Sequence, residues 1–595
     1  MSLGLDEDGR YGPWNPGIES QIPTDLLPLA TLYRSEHACT TVRDVQELHD
    51  FTDLPLTELV AFRPERLALH ELLIRVTANL SVPDGTRIED LGINFRQMIV
   101  RLLDRHVEPR MPQIVAAYET ARTALGAWIT REVDRMLQAP PPPPPRERPW
   151  WRFGTGERTP PPASHAPDIA TLLGGWETLA RSGNDAMKRA AARALARTVG
   201  ALVSKHGQVW GDRELIARVA TNLAANAYGS DIVGSIVDAI VVEGAAAEGY
   251  RTLPRQPHPM VMNTKGPSAA GKSTMRPLQK QLAGRIGVDW TDFALISPDI
   301  WRKQLLDYGS LGAAYKYAGA FTGDELSIID QKLDRYMARK AERGDMSHLL
   351  IDRFRFDSFA PDSDVAGSNL LTRFGQVVYL FFLITPPHLL VDRAWNRGRD
   401  VGRYKAVDDT LAHGVEAYSG MPDLFFTWIR RSDKRVHFEF LDNTVTRGEP
   451  PRTAAFGWND VLNVFDVAIL LDIERHRKID VNARTPGSVH PDAHDLDPAR
   501  NRSFLERCLV EFREINFAEQ SSGRIYLRIR DGTPTLVDAE TLERAMQSPD
   551  TRSGLELVTA RRSLPATAET TPTYLRPDEH IHTVGTWGAF GDPPR

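Results

Sequence analysis

Gly266, Gly271, Lys272 and Ser273 complete the spacing G-x-x-x-x-G-K-[ST], and no other stretch restricts so strongly what this chain can fold into. Such a loop needs a strand that feeds it and a helix that begins at the lysine. Residues 259–263 read as a short apolar strand, and beyond the loop Met275, Leu278, Leu282 and Ile286 recur at helical spacing. Pro277 fits only the first turn of that helix. Glycine lets consecutive N–H groups turn toward an anion, Lys272 can reach the outer phosphates of a nucleotide, and the Ser273 hydroxyl can ligate Mg²⁺. The positive end of the helix dipole adds to the attraction. Ser268, Ala270 and Thr274 complete the candidate nucleotide-binding stretch.

At 595 residues the chain has room for three or four domains, each able to bury a core. A net charge of −6 offers no general attraction to nucleic acid or to anionic membrane. No apolar run reaches the ~20 residues that span a bilayer, and the acidic start lacks the basic-then-apolar pattern of a cleaved leader. Cys39 and Cys508 are far apart and have no metal-ligand spacing, which fits a reducing compartment. A cytoplasmic protein is expected, and delivery into another cell by a route that leaves the N-terminus uncleaved stays open.

Residues 1–139 read as a helical N-terminal domain, clearest over 88–107 and 114–137, where apolar residues recur at three and four. A Pro-rich linker follows over 140–167, with Trp150, Trp151 and Phe153 expected to pack it onto a neighbour. A second helical domain covers 168–250, and Lys188, Arg189, Arg193 and Arg197 form a basic face on it that reads as a solvated helix surface. From 258 to 480 strands alternate with helices, the signature of a parallel sheet with crossover helices. The expected strands are 260–263, 293–297, 348–352, 377–384 and 436–442. A small α+β C-terminal unit over 495–565 is expected to hold a helix at 503–515, a hairpin around Asp531 and Gly532 and a helix at 538–546, before a tail over 566–595.

Candidate chemistry clusters at strand ends, where an open parallel sheet binds its ligands. Asp299 follows the second strand and suits the carboxylate that orients or deprotonates an acceptor hydroxyl; an N-cap role is the alternative. Asp352 ends the third strand and can hold Mg²⁺, while Arg353 and Arg355 can meet substrate or pair with neighbouring carboxylates. After the fourth strand, Arg397, Arg399 and Arg403 are candidates for a lid that neutralises charge developing on a transferred phosphoryl group. The Gly- and Tyr-rich residues 308–322 can line a base or sugar pocket or pack as an ordinary loop. His490, Asp492, His494 and Asp495 are metal-ligating types, but they sit in a Pro-rich loop without helical spacing.

Together residues 266–274, Asp299 and the segment 393–405 resemble the zeta-toxin and polynucleotide-kinase-like group of P-loop kinases over about 200 residues. The resemblance implies an α/β P-loop kinase core carrying an all-α N-terminal extension. It also implies ATP and Mg²⁺ as cofactors, Asp299 as the base toward a sugar hydroxyl, Lys272 and Ser273 on the phosphates and metal, and a lid arginine among Arg397, Arg399 and Arg403. Zeta toxins phosphorylate the 3′-hydroxyl of UDP-N-acetylglucosamine. Residues 401–409 and 418–428 are similar to bacterial avirulence-type effectors that phosphorylate the adenosine ribose of NAD at its 3′-hydroxyl. A toxin or effector of this kind implies an antitoxin or chaperone as protein partner. A polynucleotide 5′-hydroxyl kinase and an ATP-dependent switch that transfers no phosphate remain open; the acidic net charge argues against the first.

Overall fold

A computed structural model describes residues 10–87, 89–137, 169–353, 370–561 and 573–588. The aromatic residues of the Pro-rich linker, and Arg355, lie outside the described residues. Two compact units emerge: Met1–Leu26, Leu73–Val100 and Ala245–Arg595 in one, Leu27–Leu72 and Arg101–Gly244 in the other. Most of the two expected helical domains therefore belongs to one unit, while residues 73–100 belong to the unit that contains the sheet.

Among its described residues the second unit is built from helices and contributes no strand to the sheet. Met111–Leu137 buries Ile114, Tyr118, Leu125, Ile129 and Val133, intervals of four and seven that line one helix face. Gly229 lies against Tyr118, where an added Cβ would sit 2.7 Å from the ring. On the basic face, Arg197 forms a two-pronged pair with Glu58 and Arg189 donates to Gly183 O, as a solvated and locally neutralised surface would.

The first unit is built on a ten-stranded mixed sheet in the order β10-β9-β8-β7-β6-β5-β4-β1-β3-β2. Its parallel half comprises β1 (Met260–Lys265), β2 (Phe293–Ile296), β3 (His348–Asp352), β4 (Val377–Ile384) and β5 (Arg435–Asp442). β4, with sequence VVYLFFLI, is buried along nearly its whole length, as expected of a strand covered on both faces. Because β1 lies between β3 and β4, the chain crosses to opposite sides of the sheet from here, and a crevice forms beyond the strands' carboxyl ends.

Two antiparallel strands that periodicity did not reveal, β6 (Arg452–Trp458) and β7 (Val461–Val464), extend the sheet beyond β5. β8 (Glu514–Ala518), β9 (Ile525–Arg530) and β10 (Thr533–Leu536) then complete the same sheet, so the segment expected as a small C-terminal unit supplies its edge. The helix expected over 503–515 stops at Glu511, and Glu514 and Ile515 enter β8. The expected hairpin turn is present at Asp531 and Gly532, both with positive φ, the geometry that suits the twist of the flanking strands. Residues 573–588, expected as part of a tail, pack onto the sheet: Glu439 on β5 accepts from the N–H groups of Val584 and Gly585 and from Thr453 Oγ1. Among the described residues no helix is long and apolar enough to cross a membrane.

Candidate functional site

β1 runs into the glycine loop, which leads to a 3₁₀ turn at Lys272–Met275 and then the helix Arg276–Arg285, with Pro277 in its first turn. Gly271 is required twice over. Its φ of 96° is left-handed, and a Cβ there would lie 2.7 Å from Asn443 Nδ2. Ala269 is also left-handed, with φ 66°, which costs a residue with a Cβ about 1 kcal/mol or more. Such alternation of hand turns successive N–H groups into one concavity. Among the described residues, the N–H groups of Gly271, Lys272 and Ser273 donate to no backbone carbonyl. Ser268 and Ala270 are buried in the loop, and Thr274 Oγ1 donates to Gly271 O at 2.6 Å.

Lys272 folds back over this concavity, its ammonium donating to Gly266 O at 3.0 Å and Pro267 O at 2.9 Å. Burial pulls its pKa down, opposed by the charges of Asp352 and Asp299. Ser273 Oγ donates to Asp352 Oδ2 at 2.9 Å, across the parallel pairing that sets Thr264 beside Asp352. A hydroxyl and a carboxylate are the hard oxygen donors that Mg²⁺ accepts, the rest of its shell coming from water and phosphate. This donor set and the loop's open amides fit a Mg²⁺–nucleotide. No group of three or more His, Cys, Asp or Glu among the described residues is arranged to hold a metal; Asp492 instead accepts from the N–H of His494 within its own turn.

Asp299 sits in the 3₁₀ turn Pro298–Trp301 directly after β2 and does not cap it. Two guanidinium groups hold its carboxylate instead: Arg302 Nε at 3.0 Å and Arg403 Nη2 at 2.6 Å. Burial in the crevice raises its pKa, but Arg403 and Arg302 outweigh that and hold the carboxyl well below the usual carboxylate range. Its side chain nonetheless keeps 44% of its surface open, so an acceptor can reach it. Arg302 is itself fixed by Gly319 O at 2.6 Å and Thr322 Oγ1 at 2.8 Å. Tyr308, whose pKa burial raises, also feels Arg302, Arg403 and Asp299; residues 308–322 thus contribute a wall beside the carboxylate.

The arginine segment divides in two. Arg397, on the helix Pro387–Val401, has a buried Nε with no hydrogen-bond partner among the described residues. Burial and then the charge of Arg403 pull its pKa down to about 9. An arginine so desolvated and so close to other cations gains most from an incoming anion. Arg399 does not join it. Two residues further along a helix is about 200° around its axis, and Arg399 is exposed there, on another side of the helix from Arg397. Arg403 follows the left-handed Gly402 that ends the helix. Tyr404 anchors it, wedged 5.8 Å from Tyr315 and 5.5 Å from Trp395 by ring centroid, against Gly398, where a Cβ would clash at 2.4 Å.

Sequence reading assigned no role to Arg302 or Lys405. Lys405 lies next to Asp409 and His413, and burial pulls its pKa down to about 7 against the pull of Asp409. Arg353, offered as either a substrate contact or an ion-pair partner, takes the second role, paired with Asp330 and with Asp334 at 2.7 Å. No family model, curated protein or solved structure matches the chain, so the site's chemistry rests on this geometry.

Proposed function

We propose that this chain is an ATP-dependent phosphotransferase that phosphorylates a sugar hydroxyl of a small nucleotide-type molecule. The observation that carries the reading is the meeting of donor and acceptor groups at adjoining strand ends. Lys272 and the Ser273–Asp352 pair face Asp299, with its Arg302 and Arg403 partners, within mutual electrostatic reach. More cations than carboxylates gather there, as a site for a polyanion requires.

Bound ATP would supply the phosphoryl group, with Ser273 and Asp352 holding its Mg²⁺ and the loop amides and Lys272 its phosphates. Asp299, ionised throughout the neutral range, accepts a hydrogen bond from the acceptor hydroxyl and fixes its approach. A carboxylate of such low basicity orients first and takes the proton late, which suits a loose transition state that makes small demands on a base. Arg397 and Arg403 neutralise charge on the equatorial oxygens. The likeness of residues 401–409 and 418–428 to the effector kinases favours NAD over UDP-N-acetylglucosamine as acceptor, and a toxin or effector role with it. Incubation with Mg²⁺, ATP and a metabolite extract, followed by mass spectrometry, should reveal one metabolite gaining a single phosphate. ATP hydrolysis with no phosphorylated product would point instead to a nucleotide-driven switch.

A further inference from the structure

We propose that Asn443 is a positioning residue that ties the phosphate loop to the arginine-bearing helix, its side chain holding the nucleotide cradle and its backbone carbonyl the helix that carries the guanidinium cluster. The inference rests on the kinase reading and deepens it. Asn443 follows β5 directly and is only 8% exposed. Its backbone N–H donates to Ile384 O at 3.0 Å, at the end of β4. Its side-chain Nδ2 crosses to the loop and donates to Ala270 O at 2.6 Å. Its own carbonyl accepts from Arg393 Nη2 at 2.7 Å, and the same nitrogen reaches Val445 O at 3.3 Å. Arg393 lies one turn before Arg397 on the helix Pro387–Val401.

Two features separate this from an ordinary polar residue closing a strand end. An Asn or Asp there commonly bonds its own backbone two residues on. Asp442 already does so, accepting from Thr444 N at 2.9 Å, which leaves the Asn443 amide to span to the loop. The residue it holds, Ala270, is fully buried between the left-handed Ala269 and Gly271. Strained backbone of this kind persists only where surrounding contacts over-determine it, and a buried carbonyl left without a donor is costly. The place a Gly271 side chain would take is the place of the Asn443 amide, so the motif glycine and this asparagine are matched parts.

Asn443→Leu keeps the branched shape and removes the donor; Arg393→Met keeps the stem and frees the other end of the relay. In the full chain without nucleotide, Asn443→Leu should speed amide hydrogen exchange at residues 266–274 by about tenfold, the scale of one lost buried hydrogen bond. MgATP affinity measured by calorimetry should weaken by a similar ~10-fold, and KM for ATP should rise while kcat stays within about threefold. Arg393→Met should change the loop's exchange in the same direction. A folded Asn443→Leu protein with unchanged exchange at 266–274 overturns the tether. Should that variant fail to fold, unchanged exchange in Arg393→Met overturns it equally. Wild-type protein that binds no MgATP would defeat the kinase reading alone, because the exchange comparison still decides the tether.

Discussion

Ser273 Oγ donates to Asp352 Oδ2 at 2.9 Å, joining the residue after the loop lysine to the last residue of β3. The two occur 79 positions apart and were singled out on separate grounds, one by glycine spacing and one by an apolar run ending in an acid. Their contact is what a shared Mg²⁺ site asks of them. Asp352→Asn should abolish most of the gain in ATP affinity that Mg²⁺ brings, leaving metal-free binding within about threefold. Calorimetric titrations of ATP with Mg²⁺ and with EDTA measure this directly. Equal Mg²⁺ dependence in variant and wild type would remove Asp352 from the metal site. The hydrogen bond itself is half-buried and contributes about 1 kcal/mol, so the fold should survive its loss.

Arg397 separates stability from function. Its guanidinium is desolvated and close to Arg403, so Arg397→Met should stabilise the nucleotide-free protein by roughly 1 kcal/mol. The same change should lower phosphate transfer by about 10³-fold, the scale of a lost transition-state arginine. Arg399→Ala, on the exposed side of that helix, should alter neither. Thermal melts and transfer rates on the three proteins check both halves.

Glu439 makes stability depend on pH. Burial pushes its pKa up to about 7, against the hydrogen bonds from Val584, Thr453 and Gly585. Between the unfolded value near 4.5 and 7, the native state holds a proton that the unfolded chain has released. Stability therefore falls as pH rises through that window and levels off above it, by up to about 3 kcal/mol from this group. Urea melts from pH 4.5 to 8 should show the slope, and Glu439→Gln should flatten it. A slope unchanged in the variant would assign the dependence elsewhere.

Legibility in the sequence followed the range of the interactions. β2, β3 and β4 were readable as apolar runs, which in a parallel sheet is the main signal; β1 opens with one, and β5 alternates Val436, Phe438 and Phe440 with polar residues. β6 and β7 carry Thr, Ala, Gly and Asn and give no such run. The start of β8 was absorbed into a helix because Phe512 and Ile515 continue the apolar spacing of Phe504, Leu505 and Cys508. Within the site, Asp299 was legible from its place after a strand, but its grip by Arg403, over 100 residues away, depends on tertiary contact. Arg397 and Arg399 look alike in sequence, and only the helix places them on different sides. Asn443 gave no sequence signal, for a lone asparagine after a strand fits many turns.

The central claim is that Asp299 presents the acceptor to a nucleotide held by the glycine loop. It is tested most directly by Asp299→Asn, with MgATP affinity and phosphate transfer to the acceptor found by mass spectrometry measured on the same protein. Affinity should stay within about threefold of wild type and transfer should fall by about 10²–10⁴-fold. Transfer at the wild-type rate in that variant would contradict it.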